Sequence, residues 1–198
     1  MKKLLSVPFS ASLRWLVILV FASAAPVGAQ QLAATIDPSS CQIHFTLGAT
    51  LHTVHGVFHL KSGQMQWDAS TGKATGSIVI DATSGNTDNA SRDKNMHSDV
   101  LESAKFPEIT FTPSKVSGAL PTTAASQIQI AGLIRLHGQD HAATLQLTVQ
   151  PPSSGVYAVE AQITVPWKSW GLKDPSTFLL HVADTVTVDI QTKANIAQ

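Results

Sequence analysis

In the stretch QIQIAGLIRLH, residues 127 to 137, apolar and polar side chains alternate: Ile128, Ile130, Gly132, Ile134 and Leu136 stand opposite Gln129, Arg135 and His137. Side chains of a β-strand point alternately to its two faces, so a period of two describes a strand with one buried and one wetted side. The pattern recurs in CQIHFTL (41 to 47), HTVHGVFHL (52 to 60), GQMQWD (63 to 68), ATGSIVIDA (74 to 82), EITFTPSKV (108 to 116), ATLQLTVQ (143 to 150), VYAVEAQITV (156 to 165) and DTVTVDIQTK (184 to 193). From Thr35 onward the segments are separated by Gly, Pro, Ser, Asp and Asn, the punctuation of an antiparallel all-β domain.

Two stretches break the rhythm. TDNASRDKNMHSDVLES (87 to 103) carries Met96 and Val100 at helical spacing, with Asp88 or Asn89 placed to cap a start, and predicts one short helix. VPWKSWGLKDPSTFLL (165 to 180) has two prolines and a glycine and reads as a long loop with at most a single turn. One short helix cannot cover so much apolar sheet, and Cys41, the single cysteine, rules out an internal disulfide. The sheet must therefore bury its apolar face against itself, and closing into a barrel also removes its edges.

A ring of about eight strands is just wide enough to be filled by side chains or to hold one small ligand. After residue 29 the chain has nine aromatic residues, and the inward positions are mostly Val, Ile, Leu, Ala and Gly. Slim side chains around a wide ring favour a lined cavity; a filled core is the rival. The Cys41 thiol is expected to be buried and inert.

The first 29 residues predict a signal peptide: Lys2, Lys3 and Arg14 precede an apolar run from Trp15 to Ala25, followed by Val27-Gly28-Ala29. That run is shorter than the ~20 residues that span a bilayer, so stable membrane insertion after cleavage is not expected. Residues 30–198 then form one domain with ten basic against thirteen acidic side chains. Such a balance gives no electrostatic footprint for nucleic acid. The expected location is periplasmic or secreted.

His52, His55 and His59 crowd LHTVHGVFHL, where Val54, Gly56, Phe58 and Leu60 form the inward set. His55 and His59 share the outward face about 13 Å apart by the strand rise, too far to ligate one ion at about 2.1 Å each. His52 has the opposite parity. His137 and His141 flank the turn HGQDH, and a histidine pair across a hairpin can take Zn²⁺ or Cu²⁺. Without HExxH, a cysteine pair or a flanking carboxylate pattern, solvated or hydrogen-bonded histidines are the favoured reading. No metal site, no cofactor and no catalytic residue is assigned, and without GxSxG an enzyme built on His137 and His141 is the weakest of the readings.

The segments TIDPSSCQIHFTL, TVHGVFHLKSGQMQWD, SRDKNMHSDVLESAKFPEITF and IAGLIRLHGQDHAATLQL, in that order, resemble the YceI-like family of polyisoprenoid-binding proteins over about residues 34 to 193. The resemblance implies an extended antiparallel lipocalin-like barrel with a helix over one end. It also implies an isoprenoid chain, such as a quinone tail or polyprenyl lipid, held inside without catalysis. On that reading Ile43, Phe45, Phe58, Leu60, Ile78, Ile80, Phe111, Ile130, Ile134, Leu145, Leu147, Ile163, Val165, Val186 and Val188 line the barrel, and Met96 reaches it from the helix. Arg92 is a candidate for a head group or, preferably, for an ion pair with a nearby acid that fixes the helix. The chain departs from the family pattern at His55 and at Trp167 and Trp170, which are expected at the barrel mouth. The alternative function is an envelope stress or interaction module with a filled barrel, whose surface histidines bind a metal or partner. A homodimer is left open.

Overall fold

The computed structural model describes residues 30–50, 52–176 and 181–197, so the expected signal peptide lies outside the described residues. The strands are β1 (Gln31–Ile36), β2 (Gln42–Ala49), β3 (Thr53–Asp68), β4 (Ala74–Asn86), β5 (Glu108–Ser117), β6 (Ser126–Leu136), β7 (Gln139–Val149), β8 (Val156–Val165) and β9 (Val182–Ala197). A helix, α1 (Ala90–Asn95), follows β4 and continues as a π-wound turn over Met96–Val100. Neighbours pair in the order β3, β2, β9, β8, β7, β6, β5, β4, and β4 pairs back onto β3. The result is a closed antiparallel barrel of eight positions.

Nine strands fit eight positions because β1 and β2 share one. β2 pairs with β3 over Ile43 to Gly48 and with β9 over Gln42 to Ala49, while β1 pairs with the far halves of the same two strands. Between them Pro38, which has no N–H to give a ladder, starts a single 3-10 turn, Pro38–Ser40, capped by the Asp37 carboxylate accepting the Ser39 N–H at 2.9 Å. Gln31–Ile36, absent from the expected strands, is thus the lower half of an interrupted strand.

HTVHGVFHL and GQMQWD, expected as two strands, are one. β3 runs unbroken through Lys61 and Ser62, but its register against β4 shifts between Leu60 and Ser62. Such a bulge puts two residues opposite one and flips the parity. Val54, Gly56 and Leu60 are buried before it, Met65 and Trp67 after it. β5 has the same device between Pro113 and Lys115, so Phe111 and Val116 both face inward. Asn89 caps α1, its side-chain oxygen accepting the Arg92 N–H at 3.0 Å. The described part of the stretch from 165 to 180 is a loop with one turn, as expected; residues 177–180 lie outside the described residues.

Candidate functional site

The inward faces enclose one long cavity of about 720 Å³. Each strand contributes by parity: Ile43 and Phe45 from β2, Phe58 and Leu60 from β3, Ile78 and Ile80 from β4, Phe111 from β5, and Ile130 and Ile134 from β6. The ring is completed by Leu145 and Leu147 from β7, Ile163 and Val165 from β8, and Val186 and Val188 from β9. The helix adds Met96 and Arg92, and the loop Trp167 and Trp170, so the structure brings every predicted lining residue and both tryptophans to one cavity, whereas His55, expected at the mouth, does not line it. Many of these side chains, including Leu145, Leu147 and Ile163, are only partly buried, because one side of each faces the hollow.

The two ends differ. The far end is lined by Trp67, Val116, Ile128 and Val149, all buried. Every exposed residue of the lining (His52, Asn89, Ser91, Asn95 and Pro175) sits at the end covered by α1 and the loop after β8. That end is the mouth. The indole of Trp167 donates to the Ala183 carbonyl at 3.0 Å, and Lys168 bridges Asp174 at 2.8 Å and Asp184 at 3.0 Å, which ties the loop to β9. The Asp174 carboxyl is held below its usual range, by the Lys168 ammonium first and then by the Ser176 hydroxyl and N–H.

Among the described residues Arg92 does not make the ion pair expected of it. Its Nε donates to Thr87 Oγ1 at 2.7 Å and its Nη2 to the Thr87 carbonyl at 2.8 Å, and the Thr87 hydroxyl in turn donates to Asp93 Oδ1. The buried Thr87 is a relay between cation and anion. Lying next in the chain to Arg92, Asp93 cannot easily turn its carboxylate to meet the guanidinium, whereas Thr87 at the end of β4 faces both.

The histidines divide. Among the described residues His55 bonds Thr46 Oγ1, at 3.2 Å on the outer face. His137 Nε2 lies 2.5 Å from Glu102 Oε2, and His97 bonds Ser103 Oγ at 3.0 Å and the Gly85 carbonyl at 2.8 Å. Two others are turned toward the interior. His52 lines the mouth, and His141 shares the inward parity of Ala143 and Leu145 on β7, stacked on Trp170 with ring centroids 4.3 Å apart and planes 3° from parallel. His137 and His141 therefore serve different neighbours. Among the described residues no group of three or more His, Cys, Asp or Glu side chains could hold a metal ion.

Sequence reasoning missed two polar residues of the interior. Cys41, expected to be sealed in the core, is half-buried and lines the cavity, and Thr192 lines it beside Cys41. Burial pushes the Cys41 thiol up from its ordinary pKa, with the nearby Thr192 hydroxyl countering part of that push. The parity of DTVTVDIQTK does place Thr192 with Val188 and Ile190 on the inner face, and that was the available signal.

The model of the YceI-like domain matches residues 35–194, most of the chain. The chain belongs to the YceI-like domain family. Among solved structures, the barrel is similar to a polyisoprenoid binding domain from Saccharophagus degradans implicated in plant cell wall breakdown: TM-score 0.61 and 19% identity, covering 83% of this chain and 98% of that one. It is also similar to BcnA of Burkholderia cenocepacia, with TM-score 0.65 and 14% identity over 82% of this chain and 99% of that one. The YceI protein of Campylobacter jejuni aligns with TM-score 0.51 and 16% identity over 71% of this chain and 80% of its own. At these identities the likeness is one of fold. No curated protein matches the sequence significantly.

Proposed function

We propose that this YceI-like barrel is a carrier or reservoir for an isoprenoid or other long-chain amphiphilic lipid, acting in the periplasm or outside the cell after removal of residues 1–29. The observation that carries the proposal is the shape and polarity of the cavity: long, apolar, closed at the Trp67 end and polar only near its mouth and at one interior spot. Its volume, about 720 Å³, falls in the range of ligand pockets, roughly 300–1,000 Å³. An isoprene unit of about five carbons gains ~3 to 4 kcal/mol gross on leaving water, before ordering costs, so a chain needs few polar contacts to bind. The same name in the Saccharophagus degradans structure, a polyisoprenoid binding domain, supports this choice of ligand.

The protein acts as a binder rather than a catalyst on this reading, with Asn89, Ser91, Asn95 and the Arg92–Thr87 relay meeting the head group. Trp167 and Trp170 close over it. Organic extraction of protein purified from its own host, followed by mass spectrometry, should release a long-chain amphiphile in near-equimolar amount. An extract without one, together with no uptake of added isoprenoid, would sink the carrier account. Intact mass of the same sample checks the cleavage, since export predicts loss of the first 29 residues.

A further inference from the structure

The wall of the barrel is not sewn to the same height everywhere. The β6–β7 ladder runs from Ser126 with Val149 to Leu136 with Gln139, and the β8–β9 ladder from Val156 with Asn195 to Val165 with Val186. Between β7 and β8 the register holds for four pairs, Val149 with Val159 to Gln146 with Gln162, and stops. Carried on, it would set Ala142 against Pro166, which has no N–H to give. The β4–β5 ladder is equally short but is taken up again by Lys73 with Lys115, whereas among the described residues nothing resumes that of β7 and β8 toward the mouth. Residues 142–145 thus leave about 14 Å of strand without a ladder on that side, or about 10 Å of wall height at the usual barrel tilt.

A cleft of about 510 Å³ occupies this split. Thr144, Gln146 and Thr164 line it from the outer face and Ala143 and Ile163 from the inner, so it passes between the two strands. Ile163 and Trp170 line both the cleft and the main cavity and stand between them. Above the split, the His141 ring on β7 stacks on Trp170 of the loop after β8, a side-chain contact where the backbone ladder is missing. The mouth itself is covered and tied: Lys168 holds the loop to Asp184 on β9 at 3.0 Å, and Lys173 lies 3.7 Å from Asp99 in the turn that continues α1.

We infer that the split between β7 and β8 is a side portal through which the chain of the bound lipid enters and leaves the cavity, closed at rest by Trp170. This rests on the carrier reading and adds to it the route of exchange. Continuity decides the occupant: the cleft meets the apolar cavity across two apolar side chains, and swinging Trp170 aside joins the two spaces. Withdrawal through the end has instead to displace α1 or the tied loop. A chain drawn over the lowered rim also exposes fewer carbons at once. Each methylene kept out of water in the transition state is worth about fourfold in rate, so two amount to about 15-fold.

The test sews the split shut. Thr144 and Thr164 would face each other if the register continued, so the double variant Thr144→Cys with Thr164→Cys is oxidised, the bridge is confirmed by peptide mapping against the native Cys41, and exchange of cis-parinaric acid, a fluorescent fatty acid, is followed by stopped flow on delipidated protein. Uptake and release should both slow by about 15-fold at unchanged affinity, since a door alters rates and not the equilibrium, and dithiothreitol should restore them. The same bridge between the paired positions 127 and 148, made by Gln127→Cys with Thr148→Cys, should leave both rates as they are. Thr164→Trp, which fills the cleft without any bond, should slow exchange in the same direction and decides the matter if the bridge does not form. Exchange at the wild-type rate in the bridged protein, or in Thr164→Trp where no bridge forms, overturns the portal and leaves the carrier intact. A dimer in sedimentation that the bridge abolishes overturns it too, because the open edges then serve a second copy. Failure of the wild-type protein to take up either this probe or an isoprenoid removes both readings.

Discussion

Ala161 on β8 lines the cavity midway along the barrel, opposite Leu147 on β7 and Ile190 on β9 in the ladder. Ala161→Phe adds six carbons to that wall, slightly more than the roughly five carbons of one isoprene unit. If those carbons take the space of ligand, the bound chain loses about 3 to 4 kcal/mol of gross burial, which is on the order of 150-fold to 800-fold in affinity. The protein itself has a different balance. Inserting a ring into a packed core costs about 1–3 kcal/mol, but a cavity of about 720 Å³ has room for it, and burying a Phe side chain gains about 1.5–3 kcal/mol. Stability should therefore hold or rise by about 1 kcal/mol, the small remainder of those terms. The assay measures lipid released per mole of protein by extraction and mass spectrometry, alongside thermal unfolding. Leu133→Phe, at an outward-facing residue 44% exposed, is the control and should change neither. A variant that unfolds several degrees earlier yet keeps its lipid would show the interior to be a packed core and refute the reasoning.

Gly132 on β6 abuts its partner strand so closely that a Cβ would fall on the Thr112 carbonyl and 2.8 Å from the Phe111 ring, so Gly132→Ala should cost about 1–3 kcal/mol by denaturant unfolding. Asp68 has its carboxyl pulled down to about 2 by the Ser70 hydroxyl and by the Thr71 N–H and hydroxyl. Its folded value lies below the unfolded one of ~3.9, so its stabilisation is present above about pH 4 and lost as pH falls toward 2; an acid titration of Asp68→Asn should lack that component. Arg92→Ala removes both bonds to Thr87 and leaves its buried carbonyl short of a donor, for an expected loss of about 1–3 kcal/mol in thermal unfolding. Trp170→Ala removes the stacked partner of His141, worth about 0.5–1.5 kcal/mol, and should speed release of a fluorescent fatty acid in stopped flow by opening the mouth.

Where alternation was regular, the sequence was readable strand by strand: β6 and β7 keep parity along their length, and Ile130, Ile134, Leu145 and Leu147 all lie where a period of two puts them. It failed where parity changes inside a strand. The bulge at Lys61 and Ser62 looks, one residue at a time, like a turn between two strands. QLAATI is short, weakly patterned and followed by Asp-Pro, so little in it marks Gln31–Ile36 as a strand; its strand state comes from the ladders that β3 and β9 offer it. Arg92 was expected to seek an acid, and instead Thr87, brought to it by the end of β4, accepts both bonds.

The amino-acid order alone determined that this chain makes one-faced strands and a short capped helix, since side-chain alternation and local capping depend only on neighbours along the backbone. It also determined that the apolar faces must be turned on one another. A ring of eight positions admits either a filled interior or a hollow, and only the closed barrel, with its cavity of about 720 Å³, decided between them. Ring closure likewise brought Thr192 against Cys41 and stacked His141 on Trp170. These are contacts between residues far apart in the chain, set by register across the sheet, and no local pattern encodes them.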